Sequence, residues 1–347
     1  MKQFLFLVIL FLGAYAQGQQ QKNVDFTTAK VDLTLNSEVK SISGAVVYQF
    51  KALEKTNTVF LDAQNMEFTE VKLNNKPVKY EVDAKKITIM KKLKKGTKHA
   101  LSFSYSAKPK QTLYFINETE NSSFKQIWTQ GQGKYTSHWL PSFDDMNEKV
   151  EFDVTISFDK NYEVIANGIL TNKQIAESTA KWHFDMEKPM SSYLLALTIG
   201  NYQKKELRSN SGIPIKLYYY PEDSLKVEPT YRYSNEIFDF LEAEIGMPYP
   251  WKVYKQIPVK DFLYAGMENT GTTIFSDAFF VDEIAFNDRN YINVNAHELA
   301  HQWFGNLVTM EWWKELGLNE GFATCVAAAA AAVGDVGEPQ RCWQSEI

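Results

Sequence analysis

Between residues 24 and 202, apolar and polar positions alternate in short runs separated by turn residues. The runs 45–50 (AVVYQF), 58–61 (TVFL), 86–90 (KITIM) and 152–158 (FDVTISF) are examples. A period of two is the signature of half-buried antiparallel strands. Asn74-Asn75-Lys76-Pro77 and Ala166-Asn167-Gly168 predict hairpin turns between such strands. Sustained over nearly 180 residues, the pattern predicts an all-β sandwich or saddle. Arg208-Ser209-Asn210-Ser211-Gly212 breaks the alternation and marks an expected boundary, giving a β domain over 17–205 and a second domain over 206–347. Beyond the break the period changes. Ile237, Phe238, Phe240 and Leu241 fall at helical spacing and predict a helix over 231–244, stopped by Gly246-Met247-Pro248. A strand over 253–259, a helix over 290–306 and another from Asn319 onward complete the second half. The fold class expected is multidomain α+β.

Composition adds compartment and partners. A basic start, an apolar run over residues 4–12 and small residues at Ala14 and Ala16 predict a secretory signal peptide over 1–16. Removing it leaves 347 − 16 = 331 residues, enough for two domains. The run is shorter than the roughly 20 apolar residues of a membrane span, so an exported protein without a stable membrane span is expected. The chain carries 37 basic and 42 acidic residues, net −5. Its basic runs, such as 91–95 (KKLKK), suit a solvated turn rather than nucleic acid. Cys325 and Cys342 could pair in an oxidising compartment, and Asn117 and Asn121 head glycosylation patterns.

Candidate chemistry concentrates around His297-Glu298-Leu299-Ala300-His301. Two histidines four apart on a helix share one face, so both imidazoles can reach one ion while Glu298 stays free to meet a bound water. Two surface histidines and a solvated glutamate on an amphipathic helix would read the same. Glu320, nineteen residues after His301, supplies a third ligand from a second helix. Two nitrogens and one carboxylate leave a position open, the pattern of a catalytic zinc. Gln130 and Gln132, flanking Gly131, either present amides to a substrate or are polar residues at a strand end.

Gly266-Met267-Glu268-Asn269, His297-Glu298-x-x-His301 and the block 312–323 (WWKELGLNEGFA), in this order and spacing, resemble peptidase family M1, the gluzincin aminopeptidases. Trp128-Thr129-Gln130 and 140–145 (LPSFDD) resemble the family's saddle signatures. The resemblance implies an N-terminal β-saddle followed by part of a thermolysin-like catalytic domain. It implies one Zn2+ held by His297, His301 and Glu320, with Glu298 as general base and Glu268 binding the substrate's free α-amino group. Ala265, Gly266, Met267, Asn269 and Gln130 fall on substrate-contacting positions. The expected activity is removal of N-terminal residues from peptides with a free N-terminus.

The sequence also departs from the family. Ala265 stands where many members carry Gly, and Gln132 where some carry a second amine-binding Glu. Glu315 and Gly317 replace the usual Asp and Trp, which predicts a packing gap. The family's oxyanion-stabilising tyrosine has no counterpart after Glu320, where an alanine run leads to Ile347, so a truncated chain is expected. Three functions therefore compete: a zinc aminopeptidase, a catalytically impaired fragment or zinc-retaining peptide-binding module, and another gluzincin activity. The Gly-Met-Glu-Asn segment disfavours an endopeptidase.

Overall fold

A computed structural model describes residues 20–116 and 126–331. The predicted leader, Asn117, Asn121 and Cys342 lie outside the described residues.

The alternating runs become strands whose apolar positions share one face. Val24–Asn36 buries every second residue along most of its length, with one slip at Thr27 where a bulge shifts the register. In the largest sheet the order is Ile169–Ile175, Thr179–Asp185, Lys149–Asp159, Val24–Asn36, Ser41–Ala52, Lys98–Ala107, Glu67–Leu73 and Lys76–Pro77. A three-stranded sheet built on Thr56–Asp62 and Lys86–Leu93 and a four-stranded sheet of Glu163–Ala166, Leu197–Gly200, Gln126–Thr129 and Leu113–Ile116 complete the saddle. The Asn74-Asn75 hairpin forms as expected, both residues left-handed at φ 52° and 63°, which suits the mirror-image turn joining twisted strands.

Four expectations need correction. Val24–Asn36 pairs parallel with Lys149–Asp159, not antiparallel. A parallel neighbour requires a long crossover, and local alternation carries no trace of it. Ala166-Asn167-Gly168 is not a hairpin: Glu163–Ala166 pairs in the four-stranded sheet and Ile169–Ile175 in the largest one, so the bend hands the chain between sheets. The run 91–95 is not a turn throughout, since strand Lys86–Leu93 passes through its first three residues. The break at 208–212 is the tip of a hairpin joining Gln203–Arg208 to Pro214–Tyr219. The expected boundary at 205/206 therefore cuts through a strand of the second sheet.

That second sheet runs Gln203–Arg208, Pro214–Tyr219, Tyr254–Val259, Thr272–Ser276, Gly266–Met267. Its central pairs are parallel, and Tyr254–Val259 and Thr272–Ser276 are buried at every position, as expected for strands covered on both faces. Among the described residues four α-helices accompany it: α1 (Val227–Tyr231), α2 (Ser234–Ile245), α3 (Ile292–Ala300) and α4 (Leu316–Ala331). α2 stops at Gly246, left-handed at φ 68°, a common helix terminator. α4 buries Ala323, Val326, Ala327 and Ala330 along one stripe, so small side chains bring its backbone close to its neighbours.

The saddle is pinned to the second domain by side chains that the strand pattern does not reveal. Lys255 is buried and donates to the carbonyls of Ala166 and Gly168. Burial pushes its amine well below the ordinary lysine pKa. The Trp313 indole donates to Asp144 O at 2.9 Å, so the 140–145 signature and the 312–323 block meet directly.

Candidate metal centre and active site

α3 ends at Ala300, earlier than the predicted 306. Gly305 adopts φ 133°, which a helix cannot accommodate, and the chain folds back on itself there. The turn has a use. It brings Phe304 O to 2.9 Å from His301 Nδ1. With that nitrogen donating its proton, Nε2 presents a lone pair to the site.

His297 and His301 project from the same face of α3, their Nε2 atoms 3.0 Å apart. Glu320 reaches them from α4, with Oε2 at 3.3 Å from His297 Nε2 and 3.5 Å from His301 Nε2. Ligand atoms of all three lie within 4.8 Å of one another. Acceptors gathered this closely repel unless a proton or cation sits among them. Burial alone would lower the His301 pKa, but the hydrogen bond to Glu320 and the charges of Glu268, Glu298 and Glu320 outweigh it and raise it to about 9. His297 and then His301 hold the Glu320 carboxyl far below its usual range. This donor set of two imidazoles and a carboxylate fits a zinc ion and leaves a coordination position open.

Two further carboxylates flank the cluster. Glu298 is buried, and burial, reinforced by Glu268 and Glu320 and opposed by His301, raises it to about 8. Its side chain lies against Gly266: a Cβ built there would come within 2.6 Å of Glu298 Cδ and 2.7 Å of Cγ. Glycine is thus what lets the acid lie flat on the strand. Glu268, also buried, is raised chiefly by desolvation, with His301 opposing.

The positions expected to contact substrate divide. Gly266 and Met267 form an edge strand paired with Thr272–Ser276, and the exposed Ala265 lies just before it. Gln130 reaches this strip from the saddle: its Nε2 lies 3.5 Å from Met267 Sδ and its Oε1 accepts the Gln132 N–H at 2.6 Å. Gln132 Nε2 donates to Glu320 Oε1 at 3.4 Å. Asn269 departs from expectation. It is wholly buried and its amide donates to Leu194 O and Leu195 O, so it anchors the Glu268 segment from behind. His138 is half-buried beside Gln111.

Comparison with known proteins decides the family. Residues 22–194 match the Peptidase M1 N-terminal domain and residues 230–345 the Peptidase family M1 domain. The chain belongs to peptidase family M1. It is 31% identical over 278 residues to a leucyl aminopeptidase of Saccharolobus solfataricus, covering 79% of this chain and 35% of that protein. It is 31% identical over 217 residues to human glutamyl aminopeptidase, covering 61% of this chain and 23% of that one. With a probable aminopeptidase 1 of Sulfurisphaera tokodaii it shares 29% identity over 81% of this chain and 36% of the relative. This M1 chain therefore spans about a third or less of the relatives it matches.

Several residues that hold the M1 site together escape the sequence motifs. Gln302 donates to Glu268 O and Glu298 O and accepts the Gly271 N–H, and Asn306 donates to Glu268 O at 2.7 Å. Asn167, in the bend between sheets, donates to Leu194 O and Thr270 O and accepts the Ala196 N–H. Amides at 302 and 306, four apart beside His301, were the available signal. Gly317, expected to leave a packing gap, is exposed, and a Cβ there meets nothing within 4 Å.

Proposed function

We propose that this protein is a zinc-dependent aminopeptidase that removes the N-terminal residue of peptides, with His297, His301 and Glu320 holding the metal. Zinc held there supplies Lewis-acid chemistry and activates water at neutral pH. The observation that supports the reading most is Glu268. It is a buried carboxylate beside the ligand cluster, with no lysine or arginine partner among the described residues. A substrate's α-ammonium would satisfy it through a charge-assisted hydrogen bond, whereas a blocked N-terminus would leave it unpaired. The free edge of Gly266–Met267 suits a peptide lying in extended form, its backbone adding to the sheet. Glu298, lying against Gly266 of that strip, takes the proton of the attacking water and returns it to the leaving amine. Its elevated proton affinity suits both halves of that transfer.

The proposal includes export. The apolar run over 4–12 followed by Ala14 and Ala16 supports a secretory leader, and among the described residues no helix is long and apolar enough to cross a membrane. N-terminal sequencing of the mature protein checks the cut after Ala16.

The decisive experiment measures zinc per chain and hydrolysis of aminoacyl-anilides, with a chelator control, for the wild type and Glu268→Ala. One zinc per chain and chelator-sensitive turnover are expected. Glu268→Ala should lose about 10- to 100-fold in preference for free over N-acetylated substrate. Equal losses on both substrates would refute the amine-anchor assignment.

A further inference from the structure

The turn after α3 is held from outside its own domain. It carries two fixtures of the site: Phe304 O orients the His301 ring, and the Asn306 amide donates to Glu268 O at 2.7 Å. Its own backbone bonds are few. The Gly305 N–H reaches Val308 O, the Asn306 N–H reaches His301 O and the Val308 N–H reaches Trp303 O. At its tip Leu307 and Val308 are 36% and 67% exposed, so apolar burial adds little to hold it there. The carbonyls of Asn306 and Leu307 receive nothing from the turn itself. Both accept from one side chain of the saddle: Lys149 Nζ lies 3.0 Å from each.

Lys149 opens the saddle strand Lys149–Asp159, 157 residues before Asn306 in the chain. Among the described residues the two carbonyls accept from Lys149 alone. An ammonium suits the task. Three N–H donors on one atom can bind two carbonyls together, and the positive charge strengthens both bonds. A backbone rotation that freed either carbonyl would also swing Phe304 O and the Asn306 amide, because the same few residues carry all of them. Lys149 thus acts on His301 and Glu268 through the turn that touches both. Asn147, two residues earlier, donates to Glu311 O at 2.6 Å and ties the saddle to a later point on the same loop.

We propose that Lys149 is a positioning residue of the site, its ammonium fixing the turn over 304–307 so that His301 faces the metal and Glu268 faces the substrate amine. This rests on the zinc aminopeptidase reading above. The saddle domain then tunes zinc affinity and amine selection from a distance, through main-chain carbonyls rather than through any side chain of the motifs.

The test compares full chains: the wild type, Lys149→Met, Lys149→Arg and Asn147→Ala. Competition with a chromogenic chelator gives zinc affinity. Calorimetry on zinc-loaded chains gives binding of phenylalanine amide and of N-acetylphenylalanine amide, and thermal unfolding is recorded for each. Lys149→Met keeps the apolar stem and loses every donor. It should weaken zinc binding about tenfold and cut the preference for the free amine about three- to tenfold. Lys149→Arg can still donate to both carbonyls and should recover most of both losses. Asn147→Ala cuts a saddle bond elsewhere on the loop and should leave both near the wild-type values. Lys149→Gln, whose shorter stem cannot reach both carbonyls, stands in if the methionine chain does not fold. Unchanged zinc affinity in the folded variant overturns the inference alone, whatever its melting temperature. An equal zinc loss in Asn147→Ala also overturns it, because any saddle contact would then serve, and so does a Lys149→Arg no better than Lys149→Met. A wild type that binds no zinc, or shows no preference for the free amine, overturns the aminopeptidase reading and this inference with it.

Discussion

Gly266→Ala isolates the placement of the general base from metal binding. The backbone at 266 is ordinary strand, so alanine brings no conformational strain of its own. The added methyl carbon would stand 2.6 Å from Glu298 Cδ and 2.7 Å from Cγ. Carbon atoms settle at roughly 3.5–4.0 Å, so the carboxylate must retreat by about 1 Å. Displacing a catalytic group by that amount costs about 100-fold in turnover. The three atoms nearest the added methyl all belong to Glu298, so zinc content should stay at the wild-type value. The assay is kcat on an aminoacyl-anilide alongside zinc per chain and thermal unfolding, with Glu298→Gln as the reference for a lost base. Gly266→Ala should approach that reference while remaining folded and metal-loaded. Wild-type kcat in such a protein would refute the claim that Glu298 must lie flat against this strand to work.

Glu320→Ala should weaken zinc binding by at least about 100-fold, measured by competition with a chromogenic chelator; unchanged zinc content would remove Glu320 from the ligand set. Asn167→Ala strands two buried backbone groups, the Ala196 N–H and Thr270 O, and should cost about 2–4 kcal/mol by urea unfolding, with faster proteolysis near the Glu268 segment. Glu148 is buried and accepts the Phe26 N–H, and burial raises its pKa from 4.5 to about 8. Between those values the unfolded chain has lost the proton that the folded chain keeps, so this contribution to stability falls as pH rises and is gone above about 8. Glu148→Gln keeps the acceptor without the charge. It should match the wild type near pH 4 and exceed it at pH 8.5 by up to a few kcal/mol, and equal urea midpoints at both pH values would refute this.

The period-two alternation, the turn signal at Asn74-Asn75 and the His297–His301 spacing are local features, and local stereochemistry determined them. Strands appear where alternation predicted them because each buries one face. The two histidines share a face because four residues make about one helical turn. The donor cluster of His297, His301 and Glu320 was likewise legible, since its residue types and order are written in the chain. Elsewhere the tertiary structure decided. Whether Val24–Asn36 pairs parallel or antiparallel, and whether Asn167-Gly168 makes a hairpin or a crossing between sheets, depends on partners more than a hundred residues away in one case and in a different sheet in the other. Asn269 looked like a substrate contact from its motif, yet the nearby Leu194 and Leu195 carbonyls claim its amide. Gln302 and Asn306 carry no motif at all. A polar side chain's role depends on which groups surround it once water is excluded, and only the packed fold determines that.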